Sequence, residues 1–193
     1  MTRQSHLLRP LEVSDWDKSL SHIATQMNNE PLNVHKLMAN HPALLAAWWN
    51  FRNYSVLGGE LGRRNGELVI LRVASNLKSW YEWSSHVDRS LNCGLTLKEI
   101  VKVNSKLSED DWIEKEYLLL SSVDILIKKK KLKTKFYNKM RKYFSDKQIM
   151  DIIAIHGMYT ILACMINIYG LSLEKKIAKR LPKQITKKSF LKK

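Results

Sequence analysis

The sequence predicts an all-α protein, and three observations lead to that prediction. Apolar side chains recur at the three- and four-residue spacing of helices along most of the chain. No segment shows, over a convincing length, the alternation of apolar and polar residues that is typical of strands. Only seven glycines and four prolines occur in 193 residues, which is little material for a β protein with many turns. We expect eight to ten helices.

Length and composition indicate one domain, or one domain with an extension. The charged share of 26% is ordinary for a globular protein, and the N-terminus has no apolar run of the kind found in signal peptides. Cys93 and Cys164 lie far apart and form no CxxC pair. This pattern predicts a reduced cytoplasmic protein with two buried, inert thiols.

The net charge of +15 is concentrated in two segments. Residues 128–142 contain nine Lys/Arg and no acid, and residues 171–193 contain nine Lys/Arg and one acid. The rest of the chain is close to neutral. A nucleic acid or an anionic surface is one interpretation of these segments. We favour two solvated lysine-rich segments, because few aromatic residues are interleaved with the lysines.

The N-terminal part, residues 1–39, is predicted to be an irregular arm followed by short helices. An arm covers residues 1–13, and residues 14–27 form an amphipathic helix with Trp16, Leu20 and Ile23 on one face. A turn at residues 28–31 precedes a short helix at residues 33–38.

A stronger helix begins at Pro42 and ends before Gly58, since proline suits a first helical turn and glycine a helix end. It carries Trp48, Trp49 and Phe51. We interpret these aromatic residues as core or subunit contacts rather than as a cofactor site.

The next helix, residues 66–76, is apolar on nearly every face except at Glu67 and Arg72. Such a helix is buried on most sides. A carboxyl group inside it needs a partner or a shifted pKa. Arg72 could be that partner, from another helix or another chain.

Ser79 and Glu82 fit a capping box, with Ser79 before the first helical residue and Glu82 at the third. The helix then continues through His86 to about Asn92. Glu82 and His86 are four residues apart and therefore share a face. A break at residues 76–79 lets this helix fold back on the preceding one, so that Glu67 meets Glu82 and His86. Two carboxyls and an imidazole are sufficient for proton transfer, although Glu82 has capping as an alternative role.

Further helices are predicted from their start signals. A capping box at Thr96 and Glu99 starts a helix that ends near Ser105, and Ser108 starts a helix that ends near Lys128. Residues 133–144 form another helix. A third capping box at Ser145 and Gln148 opens the most apolar segment of the chain.

That apolar segment is long enough to span a bilayer. We reject a span because Asp151, His156 and Asn167 interrupt it and the other helices are amphipathic. It is predicted to be the central helix of a bundle, or a helix buried in an oligomer. A short helix at residues 173–181 and a disordered basic tail beyond Pro182 complete the chain.

Two segments resemble the carboxymuconolactone decarboxylase family, within the alkyl hydroperoxidase D superfamily. They are GELVILRVASNLKSWYEWSSHVDRSLNCGLTLKEI and the later HGMYTILACMINIYG. The resemblance covers residues 40–172 and leaves residues 173–193 as a basic extension. It implies an all-α bundle of antiparallel helices that assembles as a homotrimer or homohexamer.

Peroxidase members of this superfamily carry CxxC followed by three residues and a histidine. The cysteine positions fall on Ser79 and Glu82, and the histidine on His86; Glu67 falls on the glutamate of their proton relay. Peroxidase chemistry needs a thiolate and a resolving thiol. The absence of cysteine at these two positions therefore argues against a thiol peroxidase here.

Decarboxylase members resemble this chain in carrying Glu and His at positions 82 and 86, and they act without metal or organic cofactor on a small lactone with carboxylates. The resemblance implies that Glu82, His86 and Glu67 perform acid–base catalysis, such as decarboxylation, isomerisation or dehydration. A carboxyl kept protonated by an apolar wall can protonate the carbanion left by CO₂. The predicted substrate contacts are Arg72, Arg64, Tyr81, Trp83 and Ser79.

Other interpretations remain open at this stage. The main alternative is a catalytically silent oligomeric binding or scaffold protein whose basic segments contact an acidic partner. A metal site at Glu67, Glu82 and His86 has suitable ligand types but no spacing that requires it. Thiol redox chemistry through Cys93 is a weaker alternative, and His156 and Tyr159 are interpreted as core residues.

Overall fold

The computed structural model describes residues 7–192, and eleven α-helices lie in this range. They are α1 (Ser21–Gln26), α2 (Asn33–Met38), α3 (Pro42–Val56), α4 (Arg63–Asn76), α5 (Trp80–Asn92), α6 (Leu97–Val103), α7 (Glu114–Lys129), α8 (Thr134–Met140), α9 (Asp146–Tyr169), α10 (Lys175–Ala178) and α11 (Lys187–Leu191). Four short 3-10 turns lie at Val13–Asp15, Lys18–Leu20, Gly59–Leu61 and Glu109–Asp111. No strand occurs within these residues, so the all-α prediction is confirmed.

Helix α4 is the centre of the molecule and packs against α5, α7 and α9. Every residue from Gly66 to Ser75 is buried. The prediction of a helix enclosed on most sides is therefore correct, and each functional side chain on α4 lies in the interior.

The connection between α3 and α4 is fastened to α9 by Asp151. Its carboxylate accepts hydrogen bonds from the backbone N–H of Glu60 at 2.7 Å and of Leu61 at 3.1 Å, and from the Tyr54 hydroxyl at 2.7 Å. Gly59 has a φ of +51°, and a Cβ at this position would lie 2.6 Å from the Asp151 carboxylate. Glycine is therefore required where the turn meets the carboxylate.

Two of the three predicted capping boxes form. Thr96 with Glu99 caps α6, and Ser145 with Gln148 caps α9. Ser79 makes no side-chain capping bond to α5, so that prediction is wrong. Its hydroxyl is buried without a hydrogen-bond partner among residues 7–192, and the Glu82 carboxyl is not used as a cap.

Several boundaries differ from the predictions because local turns replace helix. Residues 14–27 contain two 3-10 turns before α1, and residues 109–111 form a 3-10 turn before α7 begins at Glu114. The helices predicted at 133–144 and 173–181 are shortened to α8 and α10. Of the predicted N-terminal arm, residues 1–6 lie outside the described part of the chain.

The segment beyond Pro182, up to residue 192, is folded, contrary to the prediction of a disordered tail. Thr186 caps α11, and Phe190 is buried with its ring 5.2 Å from that of Trp83 and 5.7 Å from that of Trp80. Phe190 thus packs this lysine-rich segment against α5, together with the buried Ile185 and a hydrogen bond from the Asn104 side chain to the Phe190 carbonyl.

Helix α9 packs against α4, α3 and α7, as expected for a central helix of the bundle. Its length and its mean hydropathy of 1.9 would suit a membrane span, but half of the most apolar window is buried inside the protein. Its outer face nevertheless exposes Met150, Ile153, Ile161 and Ile168.

Candidate functional site

The hairpin of α4 and α5 brings Glu67 and His86 into contact. His86 Nδ1 lies 2.7 Å from Glu67 Oε2, and both residues are almost fully buried. The Ser90 hydroxyl donates a second hydrogen bond to the same carboxylate oxygen, at 3.3 Å. The predicted meeting of the glutamate and the imidazole therefore occurs, across the break between two antiparallel helices.

Burial determines the charge of His86. Desolvation lowers the pKa of this imidazole below its usual value, against the opposing effect of the Glu67 carboxylate. The neutral ring donates from Nδ1 to Glu67, which leaves Nε2 as a proton acceptor. The ring also meets the Tyr159 ring edge-on, at 5.0 Å between centroids. His86 is thus a neutral base in a fixed orientation.

Glu82 is buried to 3% exposure, and its Oε2 has no hydrogen-bond partner among the described residues. Burial alone raises the pKa of this carboxyl well above its ordinary value. A carboxyl whose pKa is raised in this way keeps its proton to higher pH than usual and can act as an acid.

Glu82 and His86 line one small cavity of about 40 Å³, which has room for a few water molecules. Its walls come from α2, α3, α5 and α9 and the loop before α2. They are formed by Leu32, Val34, His35, Trp48, Arg52, Val56, Tyr81, Glu82, Ser85, His86, Arg89, Tyr159, Leu162 and Ile166.

Two arginines that the sequence analysis did not select, Arg52 and Arg89, line this cavity. Neither makes an ion pair with an acid in residues 7–192; Arg52 donates to the Asn53 side chain at 2.9 Å and lies over the Trp49 ring. Burial, and then repulsion from Arg89, lowers the pKa of Arg52. Two partly buried cations without an acid favour the binding of an anion here.

His35 and Tyr159 also line the cavity. Burial, with the charges of Arg52 and Arg89, lowers the pKa of His35 to about 3, so this imidazole is neutral. Burial, together with the nearby Glu67 and Glu82, raises the pKa of the Tyr159 hydroxyl. Tyr159 was interpreted as a core residue; it is buried in the core and is also part of the cavity wall.

Spacing could have identified one of the missed residues. Arg89 follows His86 by three positions and Glu82 by seven, so the three share a helix face. Arg52 and His35 come from helices that precede the α4–α5 hairpin, and nothing in their spacing indicates that they reach it.

Arg72 and Arg64, predicted to hold a substrate carboxylate, lie elsewhere. Arg72 forms a bidentate ion pair with Asp124, at 2.7 and 2.6 Å, and donates to the backbone carbonyls of Val103 and Ser105. Arg64 pairs with Glu99 and Glu116 at the start of α4. Both guanidinium groups are used to join α4 to α6 and α7, so neither faces the cavity or pairs with Glu67.

Of the three remaining predicted substrate contacts, one lines the cavity and two do not. Tyr81 lines the cavity and donates from its hydroxyl to Glu174 Oε1 at 2.6 Å. Trp83 points to the other side of α5, where it packs against Phe190. Ser79 is fully buried but does not line the cavity.

His156 and the thiols lie apart from the cavity. His156 is partly buried on α9 and is not among the cavity residues. Cys93 is partly buried, and burial raises the pKa of its thiol. Cys164 is exposed, which corrects the prediction of two buried thiols.

Glu67 also borders a second, more open cleft of about 420 Å³. Arg63, Arg89, Asn92 and Cys93 line it with Glu67. The Glu67–His86 pair therefore lies between this cleft and the inner cavity. Within residues 7–192, no three His, Cys, Asp or Glu side chains are grouped closely enough to hold a metal ion.

Residues 42–115 match the carboxymuconolactone decarboxylase family. None of the curated proteins is significantly similar to the sequence.

Solved structures show the same fold. An uncharacterized peroxidase-related protein from Ralstonia eutropha JMP134, described as an alkylhydroperoxidase AhpD core, superposes with a TM-score of 0.77 at 16% identity, over 93% of this chain and all of its own. A peroxidase-related protein from Silicibacter sp. TM1040 gives 0.73 at 15% identity, over 92% and 97%. A variant of the debrominase Bmp8 in complex with 2,3,4-tribromopyrrole gives 0.74 at 15% identity, over 91% and 96%. Residues 42–115 thus match the carboxymuconolactone decarboxylase family, and the chain has the alkylhydroperoxidase D-like fold.

Proposed function

We propose that this protein is an acid–base enzyme that acts on a small carbonyl or lactone acid without an organic cofactor. The observation that carries the proposal is the state of Glu82. It is a buried carboxyl, one oxygen of which has no partner in the described part of the chain, and it lines the same cavity as a neutral histidine. Buried carboxyls without a partner are costly to keep. Such groups are concentrated at functional sites, where a carboxyl with a raised pKa serves as a catalytic acid.

In decarboxylation, the C–C bond to the departing carboxylate breaks and its electron pair stays on the substrate carbon. Glu82 gives its proton to that carbon, CO₂ leaves, and the Glu82 carboxylate takes a proton back from water. Arg52 or Arg89 stabilises the negative charge that develops on the substrate. In isomerisation, His86 Nε2 would remove a proton and Glu82 would return one to another carbon.

The size and charge of the cavity restrict the substrate. A volume of about 40 Å³ admits a small acid only when flexible wall residues such as Arg89 move aside. The cationic pair Arg52 and Arg89 replaces Arg64 and Arg72 as the proposed carboxylate site. This arrangement supports a small anionic substrate.

Two other functions receive less support. Peroxidase chemistry would need thiols near His86, and the positions of the two redox cysteines hold Ser79 and Glu82. The scaffold alternative predicted a filled site, whereas Glu82 lines a void. Binding of an acidic partner is a secondary proposal, and the exposed lysines of residues 128–142 support it.

The test is proton incorporation at carbon. The protein is incubated in D₂O with a panel of unsaturated lactones and 2-oxo acids that carry carboxylates, and NMR follows CO₂ loss and deuterium uptake. We expect turnover of at least one substrate, and a rate at least about a hundredfold lower in Glu82→Gln, which keeps the shape but loses the proton. Glu109→Gln, an exposed carboxyl in a 3-10 turn, is the control. Equal rates in Glu82→Gln and wild type, or no turnover in the whole panel, would contradict the proposal.

A further inference from the structure

A third cavity, of about 170 Å³, lies between α5 and the C-terminal helix α10. Ser84, Ser85, Asp88 and Arg89 form one wall and residues 176, 177, 180 and 181 the other, with Leu32 at the edge. Three of these residues, Leu32, Ser85 and Arg89, also line the inner cavity. The two cavities are therefore neighbours that share the Arg89 side chain.

The polar groups of this outer cavity are mostly donors. The guanidinium groups of Arg89 and Arg180 make no hydrogen bond or ion pair with any residue from 7 to 192, while Lys176 pairs with Glu30 at 2.7 Å. Asp88 is the one acid in the wall. The Ser84 hydroxyl is fully buried and has no partner in the described part of the chain. A buried hydroxyl without a partner, beside two guanidinium groups without partners, favours an oxyanion as the missing acceptor.

The wall that α10 provides is held in a fixed position. Glu174 Oε1 accepts from the Tyr81 hydroxyl and from the backbone N–H of Asn33, both at 2.6 Å. The Asn33 side chain donates to the carbonyl of Ser172 at 2.9 Å. Phe190 anchors the end of the chain on α5. The cavity is therefore pre-formed, so a ligand does not have to order this segment on binding.

We infer that the outer cavity binds a second anionic group, a phosphate or a carboxylate, of the substrate whose carbonyl end enters the inner cavity. The inference rests on the proposed function in placing the chemistry at Glu82. It narrows the substrate class to elongated acids with an anion at each end: Arg89 lies between the two groups, and Arg180 and Ser84 hold the distal one.

Isothermal titration calorimetry tests the site with inorganic phosphate and, separately, succinate, at constant ionic strength. Arg180→Gln removes the exposed guanidinium from the wall, and Lys179→Gln removes an equal charge from the adjacent exposed residue outside the cavity. We expect saturable one-to-one binding of at least one probe, weakened at least tenfold by Arg180→Gln and unchanged by Lys179→Gln. The stronger probe identifies the oxyanion.

Heats that do not saturate with either probe would overturn the inference. Equal weakening of binding by both substitutions would also overturn it, because that result would indicate unspecific attraction to the basic segment. The measurement does not depend on turnover. Anion binding without proton incorporation would refute the proposed chemistry but not the site, and proton incorporation without anion binding would refute only the site. Glu82→Gln, which leaves the outer cavity intact, is expected to bind the probe as the wild type does.

Discussion

The raised pKa of Glu82 gives the protein a pH dependence that can be measured without a substrate. In the unfolded chain this carboxyl ionises near its ordinary pKa of 4.5, whereas burial keeps it protonated in the fold to a much higher pH. Above pH 4.5 the folded state therefore holds one proton more than the unfolded state. The contribution of Glu82 to the free energy of unfolding falls as pH rises, until the pH passes the folded pKa.

We predict that Glu82→Gln abolishes this contribution. The free energy of unfolding of the variant, relative to wild type, should rise by about 1.4 kcal/mol per pH unit within this window. Urea unfolding of both proteins between pH 6.5 and 8.5 measures it. The opposite shift of His35, to a pKa of about 3, is common to both proteins and cancels in the difference. Parallel pH profiles for wild type and variant would show that Glu82 is ionised in the fold.

At the scale of elements, the site depends on how α9 is fixed against the hairpin. Asp151 joins α9 to the turn between α3 and α4 through three hydrogen bonds. Tyr159, two helical turns further along α9, then reaches the ring of His86. One carboxylate outside the cavity thus sets the position of a cavity wall.

Asp151→Ala is expected to lower the free energy of unfolding by about 2–4 kcal/mol, because it leaves the buried N–H of Leu61 and the partly buried N–H of Glu60 without an acceptor. Asp110→Ala, an exposed aspartate, is the control and is expected to change stability by less than about 0.5 kcal/mol. Denaturant unfolding at pH 7 measures both. Similar small effects for the two variants would mean that the turn is held by packing alone.

For the whole molecule, the outer face of α9 is an apolar surface that the fold of a single chain leaves exposed. Its exposed apolar residues continue onto α3, and an apolar groove of about 480 Å³ lies beside them. The exposed members are Leu44, Phe51, Tyr54, Leu57, Met150, Ile153, Ile161 and Ile168. Contiguous apolar surface of this kind is typical of an interface. We propose that a second copy of this chain covers it, in the homo-oligomer that the family resemblance implies.

Light scattering coupled to size-exclusion chromatography tests this assembly. The wild type is expected to have a mass of at least two chains of 22.5 kDa each. Ile161→Lys should shift it toward the monomer, whereas Ile113→Lys, at an exposed isoleucine just before α7, should not. A monomeric wild type, or an oligomer that Ile161→Lys leaves intact, would contradict the proposal.

The sequence by itself determined the helical class, the hairpin of α4 and α5, and the contact of Glu67 with His86. These follow from spacing along one or two adjacent helices, where periodicity states which residues share a face. It also identified the caps at Thr96 and Ser145, which are local hydrogen bonds between residues three positions apart.

Only the tertiary structure decided which charges meet the site. Arg72 faces Asp124 and Arg64 faces Glu99 and Glu116, while Arg52 and Arg89 converge on the cavity. It also decided that Phe190 anchors the C-terminal segment on α5, and that Glu82 faces a void rather than the end of its helix. The reason is physical: helix periodicity specifies the inward face of each helix but not the neighbour across it. The pKa of a carboxyl depends on that neighbour and on the water that it excludes.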